Sequence, residues 1–313
     1  MKGLLLEQLS DLQVASLDLE RLTPVHAGRG WDPELDASAL QRMKHAWMRG
    51  RDAYERIEGA LAPLFPQSDV ATDARYDGFL AILGPAGDQD LFDDKGVTGM
   101  HAMERILWAN SIPPGVADFE ARLPGYHPAA MPRDSTESAA FKTLLAHKLV
   151  TDVSALKEQV ASLDLDLAFV FRGLMDLTRE QLEKVDLAAT GREESRYAQT
   201  TLRDLRSNRE GCLSAYKLFQ PWLRSRGYQQ LDARVLTGYE RLRIAYDNIA
   251  GDALPIPPKT WTSLSPRPED AATPFGRLFC VVQAETDYAR SDSLSTNLMA
   301  VADALGLPKA VMR

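Results

Sequence analysis

The stretch LQRMKHAWMRGRDAYERIEGAL, residues 40–61, places Leu40, Met43, Trp47, Gly50, Tyr54, Ile57 and Leu61 at alternating steps of three and four. That spacing winds one stripe down the face of an α-helix of about six turns. Pro63 and Pro66 end it, because proline fixes φ and lacks the N–H that a helix needs. A second stripe, Leu145, Leu149, Val153, Leu156, Val160, Leu163 and Leu167, predicts another long helix. Further helices are expected near 4–22, 97–110, 168–188, 196–226, 229–250, 271–288 and 293–305. Alternating Val/Ile/Thr runs and hairpin turn pairs hardly occur, so the expected fold class is all-α, built of antiparallel bundles.

Two stretches interrupt the pattern. Residues 111–134 carry Pro113, Pro114, Pro124, Pro128 and Pro132, and residues 254–274 carry Pro255, Pro257, Pro258, Pro266, Pro268 and Pro274. Both are expected as long surface connections of the kind that often cover a site. The echo of Tyr54-Glu55-Arg56 in Tyr239-Glu240-Arg241 hints at duplicated halves, but the two copies sit at different distances from their proline-rich stretches.

The 313 residues hold 36 Lys plus Arg against 44 Asp plus Glu, a net charge of −8. An acidic chain with no basic run does not fit a nucleic-acid-binding role. No apolar run approaches the ~20 residues that span a bilayer. The opening Met1-Lys2-Gly3-Leu4-Leu5-Leu6 turns polar at Glu7, before the core of a signal peptide develops, so a soluble chain without an export signal is expected. Cys212 and Cys280 form no metal-binding spacing, and two buried thiols are expected in preference to a disulfide.

Chemistry concentrates in Gly99-Met100-His101-Ala102-Met103-Glu104-Arg105-Ile106-Leu107-Trp108. His101 and Glu104, three apart, share one helical face, with Trp108 on the same side. A carboxylate buried there costs several kcal/mol unless it is paired, and a cation shared with the imidazole would pair it. The plain alternative is an ion pair within the helix. Glu58 borders the 40–61 stripe, whereas Glu55 is expected to point into solvent; Asp73 and Asp77 lead toward the His101 helix. Such a carboxylate-rich set with one imidazole suits iron, manganese or zinc. Asp77 is read equally well as a helix cap. HExxH, Gly-x-Ser-x-Gly, Walker and GxGxxG patterns are absent. His26, His45, His127 and His147 show no partner in the sequence.

Gly99-x-His101-x-x-Glu104 followed by Leu107-Trp108 resembles the GxHxxE signature of the imelysin-like family, with the EfeO/EfeM iron-uptake branch the nearest likeness. Tyr54-Glu55-Arg56-Ile57-Glu58 is similar to that branch's Y-E-R-[IV]-E helix. The block from Gly191 through Arg196-Tyr197 to Asp204, Asn208 and Gly211 is similar to its R-Y-S-H-T-D-L pattern, and Ser293-Leu294-Ser295 to its C-terminal L-S stretch. These blocks follow in order over nearly the whole chain. The resemblance implies a single domain, 1–313, of two pseudo-symmetric antiparallel four-helix bundles, about 1–185 and 186–313. It implies the short form, without the cupredoxin domain that some members carry.

It further implies a periplasmic or cell-envelope protein that binds iron, or zinc or another divalent cation, and serves a membrane iron permease alongside a peroxidase. Glu58, Asp77, His101 and Glu104 match the family's metal ligands. Gln199 and Thr201 stand where the branch has His and Asp, which removes the best donor of any second site; Arg196, Tyr197 and Asp204 then read as a structural Arg–Asp–Tyr tie. Two other readings remain open: a metallopeptidase, since the family was first classed with peptidases, and a scaffold holding an acidic polysaccharide through Arg49, Arg51 and Arg75. Acid should weaken cation binding, with His101, of reference pKa ~6.5, lost first.

Overall fold

The computed structural model describes residues 1–307, and within them every regular element is helical apart from one isolated bridge between His26 and Arg29. Residues 308–313, the end of the expected second bundle, lie outside the described residues. The helices in chain order are α1 (Lys2–Leu22), α2 (Ala37–Glu55), α3 (Glu58–Leu64), α4 (Pro66–Asp73), α5 (Tyr76–Leu83), α6 (Gly99–Leu107), α7 (Pro114–Glu120), α8 (Ser135–Ala140) and α9 (His147–Ser162). There follow α10 (Leu167–Asp186), α11 (Thr201–Lys217), α12 (Gln220–Ser225), α13 (Gln229–Asp247), α14 (Pro268–Ala271), α15 (Pro274–Thr286) and α16 (Leu294–Leu305). A π turn, Phe141–Ala146, joins α8 to α9.

Apolar stripes pack these rods into two cores. Leu5, Leu9, Leu12 and Leu19 of α1 meet Leu40, Met43 and Trp47 of α2 and Leu149, Val153 and Leu156 of α9. The other core gathers Leu174 and Leu177 of α10 with Leu205 and Tyr216 of α11, Val235 and Tyr239 of α13, Phe279 of α15 and Leu298 of α16. The cores exchange within α10: Val170 belongs to the first and Phe171 to the second. The boundary expected near 185 therefore falls at the far end of a helix whose side chains from Phe171 onward already pack in the second core.

The 40–61 stripe is not one helix. α2 stops at Glu55, Ile57 leaves helical geometry, and α3 restarts at Glu58. Crowding by two other helices accounts for the break. A side chain at Gly211 would meet the Arg56 carbonyl oxygen at 2.0 Å, and one at Gly173 would meet the Gly59 carbonyl oxygen at 1.5 Å. Thus α11 and α10 press directly on this backbone, which only glycine on their side permits. The kink turns Glu55 inward; expected in solvent, it is fully buried.

The second stripe also divides, because the Asp166 carboxylate caps α10 by accepting the Ala168 N–H at 2.8 Å. The helix expected from 196 begins only at Thr201, behind a loop in which Ala189, Gly191 and Gln199 take positive φ. Nor is 111–134 purely a surface connection: Val116 and Glu120 of α7 are buried. Cys212 and Cys280 are both free, Cys212 buried and Cys280 partly exposed. Burial pushes the Cys212 thiol up to about 12. The other histidines have partners after all: His26 meets Asp36, His45 meets Gln41, His127 meets Gln89 and His147 meets Glu20.

Candidate metal centre

Gly99 begins the centre. Its φ is +81°, and a Cβ there would lie 2.5 Å from the Thr72 carbonyl oxygen. The first turn of α6 consequently abuts the last turn of α4, which brings His101 beside Asp73. Trp47 anchors the same turn by donating its indole N–H to the Met100 carbonyl at 2.7 Å. The loop between α10 and α11 closes over this pair and delivers Glu194.

His101 Nε2 lies 3.6 Å from Asp73 Oδ1 and 3.5 Å from Glu194 Oε1. It is buried and makes no hydrogen bond. The other ring nitrogen, Nδ1, meets Glu104 Oε2 at 2.7 Å. Glu104 Oε1 accepts the backbone N–H groups of Tyr197 and Ala198 at 2.9 and 2.8 Å. With Nδ1–H given to Glu104, loss of the proton on Nε2 leaves a lone pair facing the two carboxylates, where a cation would take the proton's place. A carboxylate behind a histidine is how metal-bound imidazoles are commonly oriented.

Donor atoms of Asp73, His101 and Glu194 all lie within 4.8 Å of one another. A cation held at roughly 2.0–2.2 Å from nitrogen and oxygen needs donors roughly 2.8–3.6 Å apart, so a small closure of the carboxylates completes three contacts. The residues present fit a cation, and the partnerless Nε2 is the atom that would receive it.

The surroundings are densely charged. The Arg51 guanidinium bonds Asp73 and Glu55 and lies 3.8 Å from Glu194 and 3.9 Å from Asp204. Lys184 is ringed by Glu55, Glu58 and Glu194. Burial lowers the His101 pKa and so does Arg51, but the bond to Glu104 and the Glu194 and Asp73 carboxylates outweigh both and raise it to about 9. Burial lifts the Asp73 carboxyl to about 7 against the pull of Arg51 and His101. Burial pushes Glu194 the same way, yet Lys184, His101 and Arg75 hold it well below the usual carboxylate range. Burial places Glu58 and Asp204 well above that range in spite of Lys184 and Arg51 respectively.

The structure distributes the four sequence candidates unevenly. His101 stands at the donor cluster, and Glu104 stands behind it with both oxygens engaged. Glu58 meets the Lys184 ammonium at 3.1 Å and the Asn208 amide at 3.0 Å. Asp77, in the first turn of α5, accepts Arg196 at 2.7 Å. That bond also replaces the expected Arg196–Asp204 pair, for Asp204 accepts the Ser195 hydroxyl at 2.5 Å and Tyr197 donates its hydroxyl to Glu120. Gln199 donates to the Arg196 carbonyl at 2.7 Å.

The sequence pattern does not mark Glu194, whose only signal is its place inside the Gly191–Asp204 block. Asp73 and Asp77 read alike in the sequence, and only the packing of α4 and α5 separates their roles. Of the arginines weighed for an acidic sugar, Arg49 pairs with Asp18 at 2.7 Å, Arg51 is committed to carboxylates, and Arg75 meets Glu194 at 3.5 Å. None of the three presents an unpaired guanidinium to such a ligand.

Among known families, the Imelysin family model matches residues 34–274, a span that contains every residue of this centre. No curated protein matches the chain.

Proposed function

Because the chain belongs to the imelysin family, we propose that it is a cation-binding protein of a bacterial envelope iron-uptake system, with iron as its cargo. The observation that carries the reading is His101 Nε2, buried without a hydrogen bond and aimed at two carboxylates. Asp73, His101 and Glu194 hold the cation, and Glu104 orients the imidazole. Oxygen donors with one imidazole suit iron, manganese or zinc and disfavour copper(I). Handing the cation to a membrane permease, with a peroxidase alongside, accords with the likeness of the GxHxxE, Y-E-R and Arg196-Tyr197 blocks to the EfeO/EfeM branch. A periplasmic or cell-envelope location belongs to the same reading.

Calorimetric titration of chelator-stripped protein with ferrous iron, ferric citrate, zinc and calcium tests it. Micromolar or tighter binding is expected for iron or zinc, abolished in His101→Ala and weakened at least tenfold in Asp73→Asn and Glu194→Gln. No heat from any cation, or undiminished binding by His101→Ala, refutes the site.

A further inference from the structure

Lys184 is an unusual neighbour for a cation site. Its ammonium is buried on α10 at the junction of the two cores. Around Nζ stand Glu58 Oε2 at 3.1 Å, Asn208 Oδ1 at 3.2 Å, Glu55 Oε2 at 3.3 Å, Glu180 Oε1 at 3.8 Å and Glu194 Oε2 at 3.9 Å. An ammonium has three N–H groups. Here more oxygens than protons surround it, all farther away than the 2.7–2.9 Å typical of strong charge-assisted bonds. The shell is therefore an oxygen cage around a cation position as much as a hydrogen-bonded lysine.

Glu194 links this cage to the centre, since Oε1 faces His101 Nε2 while Oε2 faces Lys184. One carboxylate spanning two positive positions is the arrangement of paired-metal carboxylate sites in helical bundles. The cage also has fixed walls: Asn208 donates to Glu55 Oε2 at 2.5 Å and to Glu58 Oε2 at 3.0 Å, so both carboxylates are held whether or not a cation lies between them.

We infer that Lys184 is a tethered cation occupying the second position of a two-cation carboxylate centre, and that it thereby fixes the binding stoichiometry at one metal ion. This rests on the cation-binding reading above. With Lys184 in place, the Glu55 carboxylate carries the charge that faces the ammonium, Glu58 adds an oxygen contact to it, and neither is a ligand of the bound ion. With it removed, Glu55, Glu58, Asn208 and the second oxygen of Glu194 form an oxygen-rich site for a divalent ion.

The test is the number of Mn(II) ions held by full-length protein, by equilibrium dialysis and elemental analysis, with paramagnetic resonance to detect coupling between ions. Wild type is expected to hold one ion and Lys184→Ala two, with a coupled signal; Lys184→Ala/Glu58→Gln should return to one. Lys184→Ala should also melt at a lower temperature than wild type without metal and recover most of the loss in Mn(II). If Lys184→Ala does not fold, Glu58→Gln decides: it keeps one ion with affinity within threefold of wild type if Glu58 serves Lys184, and loses a hundredfold or more if Glu58 is a ligand. A folded Lys184→Ala that still holds one ion overturns the inference, as does a hundredfold loss in Glu58→Gln. A wild type holding no ion defeats the underlying reading instead.

Discussion

Cation binding here should depend on pH far above the range of an ordinary histidine. The cation and a proton compete for His101 Nε2, so binding weakens as pH falls through the cation-free pKa of the ring. That pKa is raised to about 9, because Glu104, Glu194 and Asp73 stabilise the imidazolium more than burial and Arg51 oppose it. At pH 7 roughly one ring in a hundred is then neutral, and apparent affinity should rise about tenfold per unit from pH 7 to 9. Asp73, at about 7, adds a second proton below neutrality, and the slope should steepen toward a hundredfold per unit near pH 6. An unperturbed histidine near ~6.5 would give a plateau above about pH 7.5. Competition for Zn(II) against a chelator of known affinity, from pH 6 to 9, measures the slope. Calorimetry in buffers of different ionisation enthalpy counts the protons, with about one released per ion at pH 8. A flat affinity between pH 7 and 9, with no proton released, would show that His101 does not carry the proton the geometry assigns to it.

Glu104→Gln keeps an acceptor for Nδ1–H but removes the charge behind the ring, so affinity for Zn(II) should fall 10–100-fold and the slope above pH 7 should shrink, with circular dichroism unchanged. Complete loss of binding would make Glu104 a ligand. Gly99→Ala puts a Cβ 2.5 Å from the Thr72 carbonyl at a φ of +81°; backbone strain alone costs about 1–3 kcal/mol, so the melting temperature should drop by several degrees. The same change should push α6 off α4 and weaken cation binding, which the chelator competition would detect. Asp77→Asn strips the charge facing the buried Arg196 guanidinium and should lower the melting temperature while leaving cation affinity within about threefold; a loss of a hundredfold would restore Asp77 to the ligand set.

The helical fold class was legible because the signal is local. A period near 3.6 in Leu40, Met43 and Trp47, or in Leu149, Val153 and Leu156, reports a buried face whatever it packs against. The pairing of His101 with Glu104 was legible for the same reason: helix geometry alone brings residues three apart together. Helix ends were less legible. The break at Arg56–Ile57 comes from Gly211 and Gly173, on helices more than a hundred residues away, pressing on the backbone. Glu55 shows the consequence, since a kink that no local pattern announced carried it from an expected solvent face into contact with Arg51, Lys184 and Asn208.

By itself, then, the sequence determined the helices, the acidic balance and the presence of an imidazole and a carboxylate on one face. Tertiary structure decided what each charged group does. Glu58 and Asp77 acquired cationic partners from α10 and from the loop before α11, Glu104 acquired two backbone N–H groups from that same loop, and Glu194 arrived opposite His101. The physical reason is range. Backbone geometry fixes neighbours within a turn or two, but a buried charge is governed by whichever opposite charge lies within a few ångströms, and that neighbour comes from any part of the chain.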